Sequence, residues 1–304
     1  ADTDAGLYRR TSSGWALTRR APAGLPPGAS HVNALALLGS RLVVGLFDGG
    51  LLVGEERDGA WAWRPVPGGS AWGVNALLPA GGALYVASLR GAARFDGQRL
   101  LPAGAPDAGA AFSLAATRNG VAIGYGQGVL LPGSHLVSAF HGLPGNQAVA
   151  LLSGDALFVG TPSGLGAIVD SRVAWRVVAG EGLLPHPWVT ALALSGDALY
   201  VGTYGGGVTR RSTRPDGPAT GFFDPFVETE GLKVNPGCLI EAAGRLYLGT
   251  DGRGLFRLSK DRRRFEAVRV ALPSPRITAL LASPDGLVVG TDEDPQGMAG
   301  QIEQ

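Results

Sequence analysis

A chain of 304 residues that sets 26 Lys+Arg against 25 Asp+Glu, for a net charge of +1, carries no overall electrostatic footprint for nucleic acid or an anionic membrane. Glycine (49) and proline (21) are abundant, yet 45% of the residues are hydrophobic, which excludes a disordered or collagen-like chain and supplies a substantial core. The single cysteine, Cys238, excludes an intrachain disulfide and a cysteine-based zinc site, and no stretch approaches the roughly 18 apolar residues of a membrane span.

In chain order, the sequence begins at Ala1 without methionine, which suits removal of a secretion signal or an engineered boundary. Two short strands are predicted early, around Leu7-Tyr8-Arg9 and Trp15-Ala16-Leu17-Thr18. A strand-turn-strand unit then starts at Val32 (VNALALLGSRLVVGLFDGGLLV) and recurs from Val74, Phe112, Ala148, Val189, Gly237 and Ile277. A small residue follows the second strand of each unit, at Gly45, Ala87, Gly124, Gly160, Gly202, Gly249 and Gly290, so the units follow at intervals of 36 to 47 residues. Tight turns such as Ser195-Gly196-Asp197 and Arg118-Asn119-Gly120 join the first two strands, because Gly, Asn and Asp tolerate the positive φ of a hairpin. The glycines after the second strand are read as bends into a third strand. A dinucleotide or phosphate loop is excluded, since GDALYVGTYGGG (196–207) has neither the G-x-G-x-x-G spacing nor a Gly-Lys-Ser/Thr close, and Val208-Thr209-Arg210 continues as a strand.

A period near 40 with four short strands is the signature of a propeller blade, which cannot bury both faces alone and must stack around an axis. The reading is a single all-β domain over 1–304: a seven-bladed β-propeller of equivalent four-stranded antiparallel blades. Its last unit runs out of chain, so residues 5–20 are predicted to complete the blade begun by 276–292 and to close the ring.

The order Gly-Leu-Pro, V-x-A-L, L-Y-V-G-T and Gly-Gly-Leu, clearest in 142–165 and 182–207, resembles the two-component-regulator-type propeller repeat of bacterial sensor ectodomains, with WD40-like architecture. Blades two and three depart from it, with Ala87-Ser88-Leu89-Arg90 and Gly124-Tyr125-Gly126-Gln127 in place of Gly-Thr-x-Gly. The resemblance implies signalling only by analogy, as no kinase or DNA-binding segment accompanies the repeats.

In this topology the loops leading into the first strands and the loops joining second to third strands share one face, around the channel mouth. Ligands are expected there, on variable loops held by rigid strands. The leading loops contribute His31, Trp72, His186, Trp188 and Arg276 as candidate ligand-binding residues, and the glycine loops contribute Asp48, Arg90, Tyr125, Tyr204 and Asp251. Aromatic rings beside mixed charges suit a small molecule, a glycan or a protein segment. Trp72 and Trp188 serve equally well as caps on blade packing.

Catalytic and metal motifs are missing: there is no H-E-x-x-H, no G-x-S-x-G and no EF-hand loop, and the four histidines lack metal-ligand spacing. No cofactor, metal, nucleic acid or membrane insertion is expected. The acidic run Asp292-Glu293-Asp294 and the basic run Arg262-Arg263-Arg264 are read as solvated turns, Cys238 as a buried hydrophobe, and Asp155, Asp197 and Asp285 as hairpin residues on the opposite face. The insertion 211–224, with Phe222 and Phe223, is expected to fold back onto its blade. The leading function is a non-catalytic recognition or sensor propeller, periplasmic or secreted. The alternatives are a hydrolase or lyase drawing on His31, His186, Asp48, Asp251 and Arg90, including a pairing of His186 with Asp251, and a structural assembly module. A His–carboxylate pair within hydrogen-bond reach at the mouth would favour the enzyme.

Overall fold

Alternating apolar residues make strands with one covered face, and here each strand set covers the next. A computed structural model describes residues 6–11, 14–20, 31–57, 60–69, 72–105, 107–178, 184–212, 224–269, 272, 274–284 and 286–292. Within them lie seven four-stranded antiparallel sheets, each packed on its neighbour and the last on the first. Blade 1 comprises Val32–Leu38, Arg41–Leu46, Gly50–Arg57 and Ala60–Pro65. Blade 2 comprises Val74–Ala80, Ala83–Ser88, Gly91–Phe95 and Leu100–Ala103. Blade 3 follows with Ala111–Thr117, Gly120–Tyr125, Gly128–Leu131 and His135–Val137, and blade 4 with Ala150–Ser153, Leu157–Thr161, Gly164–Val169 and Arg172–Val178. Blade 5 has Val189–Ser195, Ala198–Thr203, Gly207–Ser212 and Asp224–Pro225; blade 6 has Val234–Ala242, Arg245–Thr250, Leu255–Leu258 and Phe265–Ala267.

The expectation of equivalent repeats needs a correction. Only six blades are complete copies made of four consecutive strands. The seventh sheet is a composite in which Ile277–Ser283 and Gly286–Thr291 pair with Gly6–Thr11 and Gly14–Arg20, through contacts such as Tyr8 opposite Val289. Outer strands are unequal too, falling to two residues in blade 5. The physical reason is position: inner strands are packed between neighbouring blades, whereas an outermost strand is an edge with one partner strand and little to fix its length.

A second correction concerns the recurrent glycines, which are sockets inside strands rather than bends. A Cβ on Gly202 would stand 2.7 Å from Val234 Cγ1, on Gly45 2.4 Å from Val74 Cγ1, on Gly160 2.6 Å from Val189 Cγ1 and on Gly249 2.6 Å from Ile277 Cγ2. Each of these second strands therefore leaves a hole that the first β-branched residue of the next blade fills, the close interdigitation that buried packing requires, whereas the space beside Gly124 of blade 3 is taken by Ser113 and Ala148. Gly290 receives Val32 in the same way, locking blade 7 to blade 1. Where blade 2 has Ala87, the facing residue shrinks to Ala111, and both are fully buried.

Six of the seven seams also carry a polar tie. Asn33 Nδ2 donates to Val74 O (2.8 Å), Asn75 Nδ2 to Ala111 O (2.8 Å), Ser113 Oγ to Ala148 O (2.7 Å), Thr190 Oγ1 to Val234 O (2.7 Å), Asn235 Nδ2 to Ile277 O (2.6 Å) and Thr278 Oγ1 to Val32 O. Asn33, Asn75, Thr190 and Thr278 each sit where the register shifts by a residue, and such a bulge re-aims its side chain towards the neighbouring blade. The seam from blade 4 to blade 5 has Val149 at this position and no such tie among the described residues. Innermost strands of all seven blades line an axial cavity of about 170 Å³, with Asn33, Asn75 and Ser113 among its lining. No helix of the described residues is long and apolar enough to cross a membrane.

The Gly-Thr pattern has its own role. Thr161, Thr203 and Thr250 hydroxyls donate to the carbonyls of Gly164, Gly207 and Gly254 (3.1, 3.1 and 2.7 Å), closing the turn into the third strand. Ser88 does the same to Gly91 at 2.9 Å, so the departure in blade 2 keeps the function.

Candidate functional site

At the mouth, the residue leading into a first strand accepts a backbone hydrogen bond from the residue just after the second strand. The N–H groups of Phe47, Leu89, Tyr204, Asp251 and Asp292 donate to the carbonyls of His31, Gly73, Trp188, Lys233 and Arg276 at 2.9 to 3.2 Å. Such rungs present two adjacent side chains on the rim, or one where Gly73 faces Leu89, so chemistry is set blade by blade without altering the strands beneath.

From blade 5 through blade 7 to blade 1, the rungs join into one arc. Trp188 and Tyr204 pack with centroids 4.9 Å apart, and Lys233 Nζ lies 5.4 Å from the Tyr204 ring centre, a cation–π contact. The Tyr204 hydroxyl reaches Asp251 Oδ2 at 3.5 Å. Asp251 Oδ1 accepts from Arg276 Nε at 2.9 Å, and Arg276 Nη1 stands 3.9 Å from Asp292 Oδ2. His31 completes the arc, with Nε2 3.0 Å from Asp292 Oδ1 and Nδ1 3.1 Å from Asp48 Oδ2.

The structure thus brings together His31, Asp48, Trp188, Tyr204, Asp251 and Arg276 of the sequence candidates. His186 stands beside them, accepting the Trp188 N–H at 3.1 Å. It does not pair with Asp251, whose oxygens go to Arg276 and Tyr204. Trp72 instead packs against the shared core of blades 1 and 2, which makes it a cap, whereas Trp188 is 38% exposed. Arg90 is exposed on the rim of blade 2, its N–H held by Ser88 Oγ at 3.1 Å. Tyr125 is excluded from the mouth: it is fully buried, its hydroxyl accepts the Ala105 N–H at 3.2 Å, and burial raises its pKa above the usual phenol value. It fills the core where other blades carry a turn-closing threonine.

Three further readings change. Asp292 is a nearly buried ion-pair member and not a solvated turn residue; Glu293 and Asp294 lie outside the described residues, as do Asp285 and residues 213–223 of the insertion. Arg262 is no solvated arginine either, because its Nη1 donates to Ser195 O at 2.7 Å and clamps blade 6 to the hairpin turn of blade 5. Cys238 is fully buried, and burial pushes its thiol far above the ordinary range, which makes it inert.

Sequence reasoning missed the apolar part of the rim. Phe47 and Leu89 are 43% and 48% exposed at the tips of blades 1 and 2, where the preceding Gly73 leaves room for Leu89. Phe140 and Val227, on 3-10 turns leading out of blades 3 and 5, are more exposed still, at 94% and 73%.

The chain is similar in structure to the extracellular domain of the BT4673 system of B. thetaiotaomicron, with TM-scores of 0.70 and 0.71 in two crystal structures at 17% identity. The match covers 95% of this chain but only 39% of each of those chains, so this chain spans about two fifths of their length. PorZ, a surface component of the type-IX secretion system of Porphyromonas gingivalis, matches at TM-score 0.60 and 14% identity over 92% of this chain and 49% of its own. The WD40 propeller domain of Doa1 matches at TM-score 0.64 and 13% identity, over 86% of this chain and 90% of its own. At such identities these likenesses establish the propeller fold alone. No protein-family profile matches the sequence, and no curated protein sequence is recognisably similar to it.

The geometry weighs on catalysis. A His–carboxylate pair does exist at the mouth, but a general base needs one ring nitrogen turned to its orienting carboxylate and the other to the substrate. Both nitrogens of His31 face carboxylates, and no group of three or more His, Cys, Asp or Glu among the described residues forms a metal cluster. The arc is built to hold its charges still, with Arg276 between two aspartates and His31 between two more carboxylate oxygens.

Proposed function

We propose that this chain is a non-catalytic recognition propeller, working outside the cytoplasm, that captures a small molecule, a glycan or a protein segment at its channel mouth. The observation that carries the reading is the braced arc from Trp188 to Asp48, in which ion pairs fix the backbone tips while an exposed indole beside a phenol and Lys233 offers rigid contact area. Engagement of both His31 nitrogens speaks against the hydrolase alternative. The extracellular placement of the BT4673 domain and the surface placement of PorZ support the location.

The test is a screen of the chain against glycan and peptide arrays, followed by titration of the best binder. Replacing both Trp188 and Tyr204 by alanine is expected to weaken capture at least about tenfold, as loss of central aromatic anchors does. Unchanged affinity in that variant, or turnover of the bound compound, overturns the reading.

A further inference from the structure

The face opposite the mouth carries a second built feature at the lower corner of blade 6. A concavity of about 460 Å³ is lined there by Arg245, Arg257, Lys260 and Arg264, with Asp261 and Glu266 as the only carboxylates among its described lining residues. Both carboxylates are already engaged. Asp261 accepts from Ser259 Oγ at 2.6 Å and from the Arg263 N–H at 3.2 Å, and the Ser259 hydroxyl is the first cause holding its pKa below the usual carboxylate value. Glu266 is shared, with Oε1 accepting from Arg264 Nε at 3.2 Å and Oε2 standing 3.7 Å from Arg257 Nη2.

The cations are in excess and incompletely satisfied. Arg245 and Lys260 form no ion pair among the described residues, and the Nε of Arg257 is buried without a hydrogen-bond partner. A buried donor left unpaired is costly in a native fold and calls for an acceptor. The surrounding turn is rigid: Ser259 N–H donates to Arg264 O at 2.8 Å, Ser259 Oγ accepts from the N–H groups of Arg263 and Arg264, and Arg262 is pinned to blade 5 in a left-handed conformation. Forked guanidinium donors around a preset hollow match an acceptor of several oxygens.

We propose that this corner is a binding site for a tetrahedral oxyanion, phosphate or sulfate, held between Arg245, Arg257, Lys260 and Arg264. Glu266 orients two of the guanidiniums, and the anion supplies acceptors to the accessible donors of Arg245 and Lys260. Free and esterified forms share this chemistry.

Isothermal titration of the full chain with inorganic phosphate and with sulfate, against chloride at matched ionic strength, tests the site, and glucose 6-phosphate distinguishes a free anion from an ester. Saturable binding is expected, weakened roughly tenfold or more in the double variant Arg245→Gln with Lys260→Gln, because two charge-assisted contacts are lost. The mouth variant Trp188→Ala is expected to bind the anion as the parent does, which separates this inference from the mouth reading. Both changed residues sit at the surface of the hollow, and a far-ultraviolet circular dichroism spectrum checks that the fold survives. Heats indistinguishable from chloride, or equal affinity in the double variant, overturn the proposal.

Discussion

The inner strands and the mouth rim of this propeller obey opposite rules. Along the seams, the same device recurs: a glycine socket, a β-branched knob and a polar side chain reaching the next carbonyl. On the rim, the paired positions differ in every blade, from Trp188 with Tyr204 to Lys233 with Asp251 and Arg276 with Asp292, and to the bare Gly73 beside Leu89. Stability is thus concentrated where the sequence repeats and recognition where it does not. A change at a seam should move the stability of the molecule, whereas a change on the rim should leave stability in place and alter what the molecule holds.

The largest effect is expected from filling a socket. Gly202→Val places methyl groups where Val234 already sits, and overpacking of this kind should cost about 3 kcal/mol, read as a lower midpoint of urea denaturation. A midpoint equal to that of the parent would mean that the seams are not close-packed and would erase the contrast. The ties come next. Thr278→Val leaves the Val32 carbonyl without its partner at the seam that closes the ring, and a loss of about 1–2 kcal/mol is expected in the same experiment. Val149→Thr introduces a hydroxyl at the blade 4 to blade 5 seam that lacks a tie, and should return up to about 1 kcal/mol. The smallest effect belongs to the rim: Phe140→Ala removes a ring that is 94% exposed and should move stability by less than about 0.5 kcal/mol. A large loss there would show that the rim also holds the blades.

The same division governs how much could be read from the sequence. Strand pattern, blade-sized period and the sharing of one sheet by both chain ends follow from local signals, since V-x-A-L, L-Y-V-G-T and their looser variants carry the alternation and the turn chemistry from copy to copy. The glycines at 45, 160, 202, 249 and 290 were visible as a repeat, but their purpose was not, because a socket is defined by a β-branched residue in another sheet, 28 to 32 residues later for the first four and far earlier, at Val32, for Gly290. Tyr125 misled for a related reason. It occupies a loop position by alignment with its sister blades, yet its ring turns inward to the core and to the Ala105 N–H. Of the rim, the topology told which residues meet at the mouth; it could not tell that His31 stands between Asp48 and Asp292, or that Arg262 reaches across to Ser195, since both contacts join separate blades.

The composite blade has a consequence for synthesis. Gly6–Thr11 and its sheet partner Gly286–Thr291 are separated by the whole of six blades, so the opening strands lack that partner until those blades have been translated. Bringing such distant segments together is slow, for long-range pairing meets the entropy of loop closure before any contact rewards it. Until Gly286–Thr291 has been made, the ring stays an open arc with an exposed strand edge at one end.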